Sequence, residues 1–181
     1  MRINDLVVSY DNVKIIDGLN LELKDGVTCI MGDSGCGKTT LLNVIAGLVQ
    51  PDAGSIEGRP ARISFMFQED RLFPWMNALD NISVVCNDKE KAASLLKAVE
   101  LEEDWDKMPE ELSGGMKRRV ALARTLAYPA DLIILDEPFK GLDHELMKRM
   151  IELIKKENTP ILMATHSEEE AELLGAEVLR L

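Results

Sequence analysis

Apolar positions in this chain fall into a few short blocks with a different period between them. Four blocks are nearly unbroken: Val27–Met31, residues 63–67, residues 132–135 and Ile161–Ala164. Such runs fit strands covered on both faces, the habit of a parallel sheet. In the opening third, residues 6–8, 13–16 and 19–23 are shorter apolar or alternating runs separated by Asp, Asn and Gly, and they also read as strands. Helical spacing lies between the buried blocks. It predicts helices over residues 39–48, 116–127 and 144–157, the last with Asp143 as N-cap and Met147, Met150, Ile151 and Ile154 on one core-facing stripe. Ser167 and Glu170 have the spacing of a capping box for a final short helix that Gly175 ends.

Strands alternating with helices predict an α/β fold with a mainly parallel sheet. Residues 77–112 break the alternation, being acidic and helical with no strand signal, and read as an inserted helical lobe with Trp75 and Trp105 at or near its edges. That leaves residues 1–76 and 113–181 as one core within a single domain. Each buried block leads into polar chemistry: residues 32–40, Gln68, Asp136 with Glu137, and His166. Ligands of open α/β sheets gather at the carboxyl ends of the strands, so these four groups are expected to meet.

Composition narrows the class. With 181 residues, 46% of them hydrophobic, the chain can bury a full core without disulfide or metal staples. Asp and Glu outnumber Lys and Arg by 32 to 21, a net charge of −11 that disfavours nucleic acid and anionic membranes as partners. No apolar run approaches the ~18 residues of a membrane span, and no secretory leader is expected from the first residues. Cys29, Cys36 and Cys86 have no metal-ligand spacing, and their odd number argues against a disulfide framework, which predicts a reducing compartment.

Gly32-Asp33-Ser34-Gly35-Cys36-Gly37-Lys38-Thr39, followed by Thr40, matches the phosphate-loop pattern G-x-x-x-x-G-K-[ST] after a strand and before a helix. Glycines let backbone N–H groups turn toward phosphates, and the helix start adds its positive dipole end. Lys38 is placed to bridge β- and γ-phosphates and the Thr39 hydroxyl to bind Mg²⁺. Alkylation of Cys36, inside the loop, is expected to block nucleotide binding, with ATP protecting. The strand over residues 132–135 ends in Asp136 and Glu137, one carboxylate for the metal shell and one for an attacking water.

Leu112-Ser113-Gly114-Gly115-Met116 resembles the LSGGQ signature of ABC-type ATPases, the nucleotide-binding subunits of ATP-binding cassette transporters. The likeness spans nearly the whole chain, in family order. Tyr10 matches the aromatic position that stacks on adenine, residues 32–39 Walker A, Gln68 the Q-loop and metal ligand, Asp136 Walker B and metal ligand, Glu137 the catalytic base, Gly141-Leu142-Asp143 the D-loop, and His166 the switch histidine. The resemblance implies a P-loop core with an N-terminal antiparallel β subdomain and an inserted α-helical subdomain. It also implies ATP hydrolysis with Mg²⁺, and a head-to-tail dimer in which Ser113, Gly114 and Gly115 cap the ATP of the other copy. Met116 departs from the usual glutamine. Lys117, Arg118 and Arg119 sit in the first turns of that helix, where cations oppose its dipole and an incoming γ-phosphate would relieve them.

Residues 68–75, Gln-Glu-Asp-Arg-Leu-Phe-Pro-Trp, resemble the same stretch of importers for nitrate, sulfonates and taurine. This implies transmembrane permease subunits as partners, docked near that segment on the cytoplasmic face of the membrane. Two alternatives fit the sequence less well. Non-transport relatives carry long coiled-coil insertions or paired cassettes, which this sequence lacks. An ATP-binding switch without turnover is at odds with Lys38, Asp136, Glu137 and His166 all being present. With 15 residues after His166 (181 − 166), no C-terminal regulatory domain is expected.

Overall fold

The computed structural model describes residues 1–11 and 13–181; Asn12, expected in the turn between the first two strands, lies outside the described residues. The chain runs β1 (Arg2–Tyr10), β2 (Val13–Glu22), β3 (Val27–Met31), α1 (Lys38–Ile45), β4 (Ala53–Glu57), β5 (Ile63–Met66), α2 (Ala78–Cys86) and α3 (Lys89–Ala98). It continues through α4 (Gly114–Ala127), β6 (Leu132–Asp136), α5 (His144–Ile154), β7 (Ile161–Ala164), α6 (Glu168–Leu174) and β8 (Glu177–Arg180).

Strands β5-β6-β7-β3-β8 form one parallel sheet and β2-β1-β4 a smaller antiparallel one. The parallel register positions the chemistry. Met66 lies opposite Leu135, Asp136 opposite Ala164, and Ala164 opposite Ile30. Gln68, Glu137, His166 and the loop after Met31 therefore all step off the same edge. Adjacent residues within a strand face opposite cores. Ile30, Ile134 and Leu162 pack with α1 and β1, while Cys29, Ile133, Leu135 and Met163 pack with α4 and α5. Each large side chain so buried contributes about 1.5–3 kcal/mol, so the sheet is held from both sides.

Between residues 77 and 112 the chain is helical, with α2 capped by Asn77 and α3 by Asp88. Ile82, Leu96 and Leu101 from this stretch join the same cluster as Val120 and Ile133, so α2 and α3 share one core with the sheet. The methionine stripe of α5 is buried core, as expected.

Three expectations are corrected. The runs at 13–16 and 19–23 are one strand, because Gly18 (φ +71°) carries β2 through an irregular register. Strands β4 and β8, sequences AGSIE and EVLR, were not anticipated; both are mostly exposed and carry too few apolar residues to stand out. The helices expected to end at residues 48 and 157 end at Ile45 and Ile154.

Candidate functional site

The phosphate loop joins β3 to α1 through Gly37, whose φ of +105° is costly for any side chain. A Cβ there would also lie 2.9 Å from Ile15 Cγ2. The α1 start carries no side-chain cap and no acidic residue, which leaves its N–H groups open to an anion. Lys38, only 8% exposed, donates from Nζ to the carbonyls of Gly32 (2.7 Å) and Asp33 (3.0 Å). The ammonium is thus held inside the loop, beside the place where phosphates would lie.

Asp136 ends β6 at 2% exposure, and Thr39 Oγ1 donates to its Oδ2 over 2.8 Å. Burial raises its carboxyl above the ordinary range, with the neighbouring Glu137 charge adding to the shift; the Thr39 bond, Arg118 and Lys38 oppose it. Glu137 follows in a left-handed conformation (φ +47°), and its N–H donates to Ala164 O at 2.9 Å. Its carboxylate lies 3.4 Å from His166 Nδ1 and 3.8 Å from Lys140 Nζ. His166 itself is mostly exposed, free to meet a ligand.

The expected capping box beside His166 is only half formed. Ser167 Oγ accepts from Glu170 N, but the Ser167 N–H donates to Thr165 Oγ1, and Thr165 donates in turn to the Glu170 carboxylate. Thr165, 1% exposed, outcompetes the reciprocal arm because it needs a partner in the interior. Burial raises the Glu170 carboxyl as well, opposed by its Thr165 bond and His166.

One cleft brings together Tyr10, Ser34, Gly35, Gly37, Lys38, Thr39, Thr40, Gln68, Asp136 and Glu137. Gly32, Asp33 and Cys36 stand behind it, shaping the loop: two supply carbonyls to Lys38, and Cys36 Sγ lies 4.0 Å from its Nζ. Tyr10 is 47% exposed at the end of β1, a free aromatic face at the cleft rim. Ser113, Gly114 and Gly115 do not line this cleft. They form the start of α4, where Ser113 Oγ accepts from Met116 N and Ser113 and Gly114 are exposed. The nearest neighbour of a Cβ at Gly115 would be Leu142, so this helix start packs on the 141–143 loop.

The cations of α4 behave differently from expectation. Arg118 is 4% exposed and turns inward; Arg119 donates to the carbonyls of Val99 and Glu100, and burial lowers its pKa. Backbone carbonyls, rather than a waiting phosphate, offset these charges. Residues that sequence reasoning passed over are Lys140, Thr165, Arg124 and Asn81. Asn81, fully buried, brackets Phe73 and Met76 and shapes the segment after Gln68. For Asn81 and Arg124 the available sign was a polar residue on the inward side of a helix.

The oxygens of Thr39, Asp136 and Gln68 are hard donors of the kind Mg²⁺ takes, with positions left for phosphate and water. Among the described residues no three His, Cys, Asp or Glu side chains cluster as a metal site. A metal here would therefore be shared with the nucleotide.

A parallel sheet whose strand ends present an anion-ready glycine loop, a buried carboxylate and a second carboxylate beside a histidine defines a P-loop nucleotide-binding protein. The profile of the ABC transporter family matches residues 16–140. An aliphatic sulfonates import ATP-binding protein (SsuB 1) of Rhodococcus jostii is 41% identical, over 95% of this chain and 75% of its own. A taurine import ATP-binding protein (TauB) of Roseobacter denitrificans is 37% identical, over 99% of this chain and 76% of its own. Among solved structures, the dimeric post-hydrolysis state of the ATP-binding cassette MJ0796, bound to ADP and Pi, superposes with a TM-score of 0.90 at 28% identity, covering 99% of this chain and 93% of its own. The chain belongs to the ABC transporter family.

Proposed function

We propose that this chain is the ATP-binding and ATP-hydrolysing subunit of an ABC importer. The observation that carries the reading is the meeting, at one sheet edge, of Lys38, the Thr39–Asp136 pair, and Glu137 with His166. In the reaction, Lys38 exchanges its two loop carbonyls for β- and γ-phosphate oxygens. Glu137 accepts a hydrogen bond from water and aligns it with the γ-phosphorus. The new O–P bond forms as the bond to the β-bridging oxygen breaks, the electron pair leaves with ADP, and the water protons remain on phosphate and solvent. His166 donates to the γ-phosphate, and its neighbour Glu137 keeps the ring close. Thr39, Asp136 and Gln68 would hold Mg²⁺, which neutralises developing phosphate charge when bound.

The exposed Ser113-Gly114 helix start, absent from the chain's own cleft, supports a head-to-tail dimer in which it caps the partner's ATP. The dimeric cassette among the solved structures agrees with this, and the import names of the relatives agree with the direction of transport. No helix among the described residues is long and apolar enough to cross a membrane. The import names of the relatives support permease subunits as partners, with the helical stretch 77–112 as a lobe flanking their dock. Phe73 and Trp75, both exposed with rings 5.6 Å apart, offer the apolar contact on the cytoplasmic membrane face.

The test is the solution mass of Glu137→Gln by light scattering, with and without ATP. An ATP-dependent shift from monomer to dimer is expected. A monomer that demonstrably binds ATP would refute ATP-driven closure of this subunit.

A further inference from the structure

Among the described residues, the side chain with the most hydrogen-bond partners is one the reaction does not touch. Arg118 lies in the second turn of α4, and its guanidinium reaches two separate loops. Toward the loop after β5, Nη1 meets the carbonyls of Phe67 (2.8 Å) and Gln68 (3.1 Å) and the Asp70 carboxylate (3.1 Å). Toward the turn after β6, Nη2 meets the carbonyls of Asp136 (2.6 Å) and Glu137 (2.7 Å), and Nε that of Pro138 (3.1 Å). The side chain is only 5% exposed and Asp70 24%, so water competes little for these bonds.

We propose that Arg118 is a positioning residue that makes the Gln68 loop, the Glu137 turn and the Ser113 helix start move as one piece. The inference rests on the ATPase reading above and adds the route by which its parts are kept in register. Three physical points support it. First, Glu137 stands in a left-handed conformation that an L-residue adopts only at a cost. Its N–H is tied to Ala164 and its carbonyl to Arg118, so the turn is pinned from both sides. Second, the planar fork turns its Nε and Nη2 edge to the turn after β6 and Nη1 to the loop after β5, so a displacement of one loop strains the bonds to the other. Third, Arg118 and Ser113 share one helix, separated by little more than a turn, and α4 is the rigid element between them. A partner nucleotide that pulls on Ser113 therefore shifts the Glu137 turn and the Gln68 loop together. Lysine cannot replace this residue, because three donors at one point do not span two loops.

The experiment measures ATP affinity and single-turnover hydrolysis on the purified chain carrying Arg118→Gln, Arg118→Lys, Asp70→Asn, Gln68→Ala, and Arg118→Gln with Gln68→Ala. Arg118→Gln and Arg118→Lys are expected to lower the hydrolysis rate about 10- to 100-fold, the range for residues that orient reacting groups, with ATP affinity within about 3-fold of wild type. The double variant is expected to be no more than about 3-fold slower than the worse single one, since both act through one loop. Parallel loss of affinity and rate, full rescue by lysine, or multiplying losses would overturn the proposal. Should Arg118→Gln not fold, Asp70→Asn decides. It removes only the charged acceptor and should slow hydrolysis about 3-fold at unchanged affinity, and wild-type rates would overturn the proposal. Failure of the underlying reading is distinct: wild type would not hydrolyse ATP, or Glu137→Gln would match it, and the proposal would fall with that reading.

Discussion

Replacing Lys38 by alanine probes the phosphate loop, and its effect can be worked from two contacts. In the nucleotide-free chain the ammonium bonds the carbonyls of Gly32 and Asp33 at 2.7 and 3.0 Å while 8% exposed. Removing it costs two charge-assisted bonds but also takes a charge out of a nearly closed loop. The terms oppose, so the melting temperature is expected to move by no more than about 3 °C. ATP binding is another matter. The lysine exchanges two neutral carbonyls for two anionic oxygens, which adds charge–charge attraction to bonds whose donor is already ionised. A gain of about 1.5 kcal/mol per bond gives about 3 kcal/mol, or about 100-fold in affinity. Titration with a fluorescent ATP analogue, alongside melting curves with and without ATP, measures both quantities. Binding by Lys38→Ala within about 5-fold of wild type would refute the exchange. A fall of more than about 10 °C in melting temperature would show the lysine to be a brace of the fold instead.

Two further outcomes are expected. Burial holds the Asp136 carboxyl above its ordinary 3.8, so the fold favours the neutral form and loses stability as pH rises through the raised value. Asp136→Asn cannot ionise; it should melt higher than wild type near pH 8 while losing hydrolysis, and the melting gap should narrow on acidification. A gap that widens toward low pH would contradict the burial argument. Alkylation of Cys36 should abolish ATP binding and be slowed by ATP, because its sulfur lies 4.0 Å from Lys38 Nζ and 2.6 Å from the place a Gly32 Cβ would take. Alkylated protein, verified by mass, that still binds ATP would sink this.

The parts of the fold legible in sequence were those whose chemistry is local. Buried parallel strands announce themselves as short apolar blocks, as in Val27–Met31 and Ile161–Ala164, because both faces of each must be covered. The glycine loop was legible because a tight anion turn admits few residues. Strands β4 and β8 were not, since edge strands with exposed faces need only backbone pairing, which any sequence supplies. The Ser167–Glu170 box was half misread for a similar reason: which group satisfies the Ser167 N–H depends on Thr165 being buried beside it.

By itself the sequence determined which residue types stand at each strand end, and hence the phosphate loop, the paired carboxylates and the class of chemistry. Only the tertiary structure decided their registry: that Asp136, Ala164 and Ile30 lie side by side, that Thr39 bonds Asp136 across 97 residues, and that Ser113 does not line the cleft of its own chain. It alone also turned Arg118 from a cation opposing a helix dipole into a buried fork between two loops. The reason is physical. A motif is set by what one short segment must do, whereas the acceptors a long side chain finds are set by distant backbone that packing brings within its reach.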